Sequence, residues 1–187
     1  MTQCAMGVSE AGFRSVMARF ATGVTVITSV GSGGPAGMTA NAVASLSLEP
    51  VLVMVGFELQ SRTLAVVRQS GVFAVNVLAS DQEEISRLFA GKQSEAEKFV
   101  GCGYGEWLGV PVIDGALAWL CCQVDAVYPG GDHVIVVGNV VEMGGSGGEP
   151  LLFYGGDYRR LDGPGGAEGA GRPRSAGQRA QPERIVR

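Results

Sequence analysis

The chain has 187 residues, with 14 Lys plus Arg against 18 Asp plus Glu and a net charge of −4 when its one histidine is neutral. Length sets one domain with a real core as the prior, and 46% hydrophobic against 17% charged residues exclude a disordered chain and a basic nucleic-acid binder. Apolar runs such as 51–57 and 134–141 fall short of the roughly 18 to 20 residues that cross a bilayer, and Met1–Glu10 lacks the regions of a secretory leader, so a cytoplasmic protein is expected.

Phe13, Val16, Met17 and Phe20 recur at i, i+3, i+4 and i+7 behind Ser9, which predicts an amphipathic helix with Ser9 as its N-cap. Val24–Val30 and Ala36–Leu46 read as two strands around Gly31-Ser32-Gly33-Gly34-Pro35. Val51–Phe57 is a third strand, Ser61–Gln69 a short helix, and Val72–Leu78 a buried strand. Asp81–Ala90 reads as a helix with Asp81 and Glu84 as an Asp-led capping box and Gly91 as its stop. Residues 91–110 look like loop. Ala116–Tyr128 and His133–Met143 then form a long hairpin around Pro129-Gly130-Gly131-Asp132, and Leu151–Tyr154 is a last short strand. Strands that mostly follow one another without intervening helices argue for a mainly β, antiparallel barrel with helices packed outside.

After Leu161 the composition changes to Gly, Pro, Ala and Arg. The segment 162–187 carries three acids and five arginines; taking its +2 from −4 leaves −6 on residues 1–161. It offers no apolar face, so 1–161 is the expected domain and 162–187 a disordered tail.

Several chemistries are excluded by spacing. No Gly-x-Gly pair continues to the third glycine of a dinucleotide fingerprint, Gly91-Lys92 lacks the upstream glycine of a P-loop, and a single histidine gives little support to a Ser-His-Asp hydrolase. Cys4, Cys102, Cys121 and Cys122 show no C-x-x-C spacing, which points to reduced, buried thiols and, with a single histidine, to no metal site.

Three stretches carry the remaining signal. Gly37-Met38-Thr39-Ala40-Asn41-Ala42-Val43-Ala44-Ser45-Leu46-Ser47 is small or hydroxylated where a strand interior favours bulk; it suits either a flat ligand or a solvated edge. Gln60-Ser61-Arg62-Thr63 opens a helix after a strand, so free N–H groups, two hydroxyls and a guanidinium gather there, as an anion site or as an ordinary cap. His133, beside Asp132 at a hairpin mouth, is either a cofactor contact or an incidental turn histidine.

Taken in order and spacing, these stretches, with Phe20-Ala21-Thr22-Gly23-Val24, Ser45-Leu46-Ser47-Leu48-Glu49-Pro50, Phe73-Ala74-Val75-Asn76-Val77-Leu78, Gly131-Asp132-His133 with Gly138, and Pro150-Leu151-Leu152, resemble the flavin reductase family. The resemblance runs from about Phe13 to Leu161 and covers reductase components of the 4-hydroxyphenylacetate 3-monooxygenase type. It implies an FMN-binding split barrel, homodimeric, that moves hydride from NADH, or NADPH, to FAD or FMN and supplies reduced flavin to a separate monooxygenase. Met38, Thr39, Ala40, Asn41, Ser45 and Ser47 are the implied flavin contacts, Ser61, Arg62 and Thr63 the phosphate contacts, and His133 the residue beside flavin and nicotinamide. Tyr158 and Arg159 match a C-terminal element that closes the pocket. The chain departs from the family at Glu49-Pro50, where a Pro-Pro pair is common. The rival readings are a pyridoxamine-phosphate-oxidase-like enzyme with tightly held FMN and a non-catalytic flavin binder.

Overall fold

The computed structural model describes residues 8–161, so Cys4 and the tail 162–187 lie outside the described residues. Helix α1 (Glu10–Met17) starts where expected, with Ser9 Oγ accepting from Gly12 N at 3.1 Å. After the two-residue strand β1 (Thr22–Gly23), strands β2 (Thr25–Gly31) and β3 (Gly34–Ala40) pair around Ser32-Gly33, with Gly34 at φ 99°, a value that a side chain resists. Strands β4 (Val43–Leu48) and β5 (Val51–Glu58) follow, and in β5 the alternation of Val53, Val55 and Phe57 with more exposed neighbours turns one face to the core.

Helix α2 (Arg62–Ser70) is capped by Ser61 and stopped by Gly71 at φ 72°. Then come β6 (Val72–Val77), α3 (Glu83–Ala90), α4 (Glu95–Val100), the hairpin β7 (Tyr104–Trp107) and β8 (Val110–Ile113), the long hairpin β9 (Ala118–Gly130) and β10 (His133–Gly145), and the short pair β11 (Leu152–Tyr154) and β12 (Asp157–Arg159).

One seven-stranded antiparallel sheet, in the order β3-β2-β6-β9-β10-β5-β4, organises the molecule. Its two outermost strands are joined by Asn41 and Ala42 alone. Three peptide steps reach at most about 11 Å, so the sheet must curl until its edges meet. They do not pair with each other, and the result is a barrel split along one seam.

Inside lie Ile27, Val55, Phe57, Phe73 and Val136, all fully buried. Burial of each such side chain contributes about 1.5–3 kcal/mol. On the outer face, Val26 and Leu78 pack under Phe89 of α3 and Phe99 of α4, while Ala74 and Cys121 pack under Val110 and Val112 of β8. Asn76, wholly buried, joins three segments: its Nδ2 donates to Val26 O (3.0 Å) and Thr28 Oγ1 (3.1 Å), and Ile113 N donates to its Oδ1 (2.9 Å).

Four expectations change. Ala36–Leu46 is two strands on opposite edges of the sheet, because the chain crosses the seam at Asn41-Ala42. Asp81 and Glu84 make no capping box: α3 begins after Gln82, whose side chain accepts from Ala79 N (3.0 Å) and donates to Asp114 O (2.8 Å). Residues 91–110 are not loop but hold α4 and β7, with Ser94 and Glu97 as a reciprocal capping box. The apolar stripe of α1 is not buried within this chain, since Phe13 and Phe20 are 63% and 68% exposed.

Burial pushes the Cys121 thiol up to about 11 and that of Cys122 to about 12, and raises Cys102 as well. All three should therefore resist alkylation at pH 8 in the native protein and react fully on unfolding, as read by peptide mass spectrometry. What these protonated thiols contribute to stability is complete below their ordinary value of 9.0 and declines as pH rises through 11 to 12.

Candidate active site

A cleft of about 400 Å³ opens at the seam and gathers segments far apart in sequence. Strand β3 delivers Met38, Thr39 and Ala40, the crossing delivers Asn41 and Ala42, and β5 delivers Gly56 and Glu58. The start of α2 delivers Ser61, Arg62 and Thr63, and His133 enters from the start of β10, where it is in register with Glu58. Part of each of the three stretches singled out from sequence thus lines one cavity, the first contributing Met38 to Ala42.

One wall is small and flat. A Cβ on Gly56 would sit 3.1 Å from the Ala42 methyl, so the bare peptide there is the surface itself. The other end is a helix N-terminus. Ser61 Oγ accepts from Leu64 N (3.3 Å) and donates to Met38 Sδ (3.2 Å), while the N–H groups of Arg62 and Thr63 and the Thr63 hydroxyl have no partner among the described residues. Thr63 is nevertheless 2% exposed. Unmet donors at the positive end of a helix fit a bound anion such as a phosphate.

His133 Nδ1 lies 2.7 Å from Asp132 Oδ1, and this hydrogen bond holds the Asp132 carboxyl below the usual carboxylate range. With Nδ1 donating to Asp132, Nε2 is the ring nitrogen left for another partner.

The far wall comes from α3 and α4 and includes two charged residues that sequence reasoning missed. Lys98 is buried, with Nζ donating to Gly37 O (3.1 Å) and lying 3.3 Å from Glu95 Oε1. Glu95 Oε2 accepts from Gly37 N (2.8 Å), and Oε1 lies 3.1 Å from Arg62 Nη2, which also donates to Gln93 O (2.7 Å). The signal that could have found them is Ser94-x-x-Glu97, the start of a helix in a segment read as loop.

The remaining candidates fall elsewhere. Ser45 and Ser47 line a second, apolar cavity of about 530 Å³ on the other side of the seam with Phe20, Leu52 and Leu120. They sit on β4, the edge opposite β3, and only Asn41 belongs to both cavities. Tyr158 borders a third cavity, of about 230 Å³, that shares Thr39, Ala40 and Asn41 with the cleft. Its hydroxyl is 2.8 Å from Ser86 Oγ, and Thr39 Oγ1 donates to Ser86 O at 2.6 Å, so the β12 tyrosine is tied through α3 to the cleft wall. Arg159 turns away, pairs with Asp157 (2.8 Å) and lines a separate groove with Glu83.

The family model for the flavin reductase like domain matches residues 17–162. An NADH-dependent flavin reductase of Rhodococcus sp is 38% identical over 161 residues, covering 83% of this chain and 88% of its own. The reductase component of 4-hydroxyphenylacetate 3-monooxygenase of Thermus thermophilus is 43% identical over 150 residues, covering 80% of this chain and 95% of that protein. Among solved structures, the NADH:FAD oxidoreductase of Streptomyces globisporus C-1027, in complex with NAD and FAD fragments, superposes with a TM-score of 0.79 at 37% identity, over 84% of this chain and 98% of that one. An antiparallel split barrel with a seam cleft, matched along most of its length by these proteins, belongs to the flavin reductase like domain family.

Proposed function

We propose that this protein is an NADH-dependent flavin reductase that takes FMN or FAD as a diffusible substrate and gives up the reduced flavin to a separate monooxygenase. The observation that carries the reading is the convergence, in one cleft, of a flat small-residue wall, a helix N-terminus with unmet donors, and His133. The names of the relatives point the same way.

When bound, flavin supplies the ring that accepts hydride from nicotinamide. The chain's own residues bind and orient. Met38 to Asn41 and Gly56 offer a surface on which a flat ring lies without steric conflict, and the first turn of α2 with Arg62 holds the phosphate. His133 lines the cleft, braced by Asp132, where its Nε2 can accept from a ring N–H or a carboxamide N–H. Ser45 and Ser47 contribute to the second cavity rather than to this one. That apolar cavity, bordered by Phe20, and the exposed stripe of α1 form the surface that a second copy of the chain would cover in a homodimer.

The test is NADH consumption with flavin varied, alongside equilibrium dialysis of oxidised flavin. The contacts are mostly neutral donors, so roughly micromolar affinity, nearly colourless purified protein and saturation in added flavin are expected. His133→Ala should slow single-turnover hydride transfer about tenfold, about 1.4 kcal/mol, with the melting temperature unchanged. Stoichiometric yellow protein that survives dialysis, with NADH oxidation independent of added flavin, would replace this reading with a tightly bound FMN oxidase. Flavin binding without any NADH oxidation would leave only a flavin carrier.

A further inference from the structure

The side chain of Lys98 is 4% exposed, yet it lines the cleft. An ammonium carries three N–H donors. Two are matched, by Gly37 O at 3.1 Å and Glu95 Oε1 at 3.3 Å, and the third has no acceptor among the described residues. A buried cation left short of an acceptor is costly, and a wall of a ligand cleft is the place where a ligand can supply one.

The charges around it sharpen the point. Glu95 is fully engaged, its Oε2 by Gly37 N and its Oε1 shared between Lys98 Nζ and Arg62 Nη2. One carboxylate between two cations leaves a local charge of +1. The other cleft carboxylate, Glu58, is exposed and stands in register with His133 on the neighbouring strand, not in this group.

We propose that Lys98 is an anion-binding residue of the cleft, donating its free N–H to the phosphate of the flavin nucleotide, with Glu95 positioning both Lys98 and Arg62 for that contact. The proposal rests on the flavin reading above and adds to it a cation on α4, joined to Arg62 at the start of α2 through the shared Glu95 carboxylate. FMN and riboflavin share the ring and differ in the phosphate, so the pair isolates the contact.

The experiment compares FMN and riboflavin binding by fluorescence quenching for the wild-type chain and for Lys98→Met, which keeps the length and apolar stem. The wild type should prefer FMN, and added salt should erode that preference. Lys98→Met should lose about tenfold to a hundredfold in FMN affinity, as expected for a charge-assisted hydrogen bond, with riboflavin affinity within twofold of wild type. Lys98→Gln, which retains a donor for Gly37 O, should behave alike and guards against a folding defect in the first variant. Equal losses for both ligands, or no loss for either, would mean that Lys98 only ties α4 to β3 and would overturn the proposal. Failure of the wild type to bind either ligand would overturn the flavin reading instead.

Discussion

With Ser61 and Thr63 both replaced by alanine, flavin nucleotide affinity should fall by about 1–3 kcal/mol, the worth of hydrogen bonds to a charged group. Both hydroxyls lie at the cleft end of α2, where the N–H groups of Arg62 and Thr63 have no partner among the described residues. Ser61 also caps the helix through Leu64 N, so part of the effect would be a looser first turn, about 1 kcal/mol of stability. The two contributions separate by measurement: a lost cap lowers the melting temperature without ligand, whereas a lost phosphate contact weakens FMN more than riboflavin. Under the proposed function, turnover at saturating flavin should change less than affinity, because hydrogen bonds to the phosphate hold the ground state and the transition state alike. An unchanged dissociation constant for FMN would remove the α2 terminus from the site.

Gly138→Ala should be among the most destabilising conservative changes in the barrel. A Cβ at this position would lie 2.4 Å from Phe73 Cζ, 2.8 Å from its Cε1 and 2.9 Å from Cys122 Cβ. Phe73 and Cys122 are both 0% exposed, so neither ring nor thiol has space to retreat into. The register of β9 against β10 shifts between Val137 and Gly138, where the strand brings its backbone up to the Phe73 ring. Overpacking of a full core costs about 1–3 kcal/mol, or about 2 to 12 °C in melting temperature for a chain of this size. Combining Gly138→Ala with Phe73→Leu should recover part of the loss, because the two sites share one volume and their effects do not add. A wild-type melting curve for Gly138→Ala would show that β10 moves more freely than its packing indicates.

Local signals in the sequence were sufficient where a segment's structure is decided by its own residues. The Ser9 and Ser61 caps, the Val51–Phe57 strand and the Gly131-Asp132 turn all occupy the positions that their chemistry predicts. Reading failed where tertiary geometry decides. The residues of β3, the crossing and β4 form one stretch of small and hydroxylated side chains alternating with apolar ones, and nothing in it marks Asn41-Ala42 as the place where the chain passes from one edge of the sheet to the other. One consequence was to group Ser45 and Ser47 with Thr39 and Asn41, although the structure sends them to another cavity. Lys98 and Glu95 were missed for a different reason: α4 has only six residues, too few to show a helical period.

The seam also bears on how quickly the cleft can exchange its contents. In a closed barrel, opening a slot between neighbouring strands breaks ladder hydrogen bonds, and ligand residence inherits that barrier. Here β3 and β4 share no ladder, and the backbone groups of Gly37 on the β3 edge are already satisfied by Glu95 and Lys98. Entry and departure therefore leave the sheet intact, and the dwell time of a ligand is set by the few side-chain and helix-terminus contacts it makes. Under the proposed function, in which reduced flavin is handed to another protein, a short dwell time matters more than tight holding, and the unpaired β3 and β4 edges make it compatible with a rigid core.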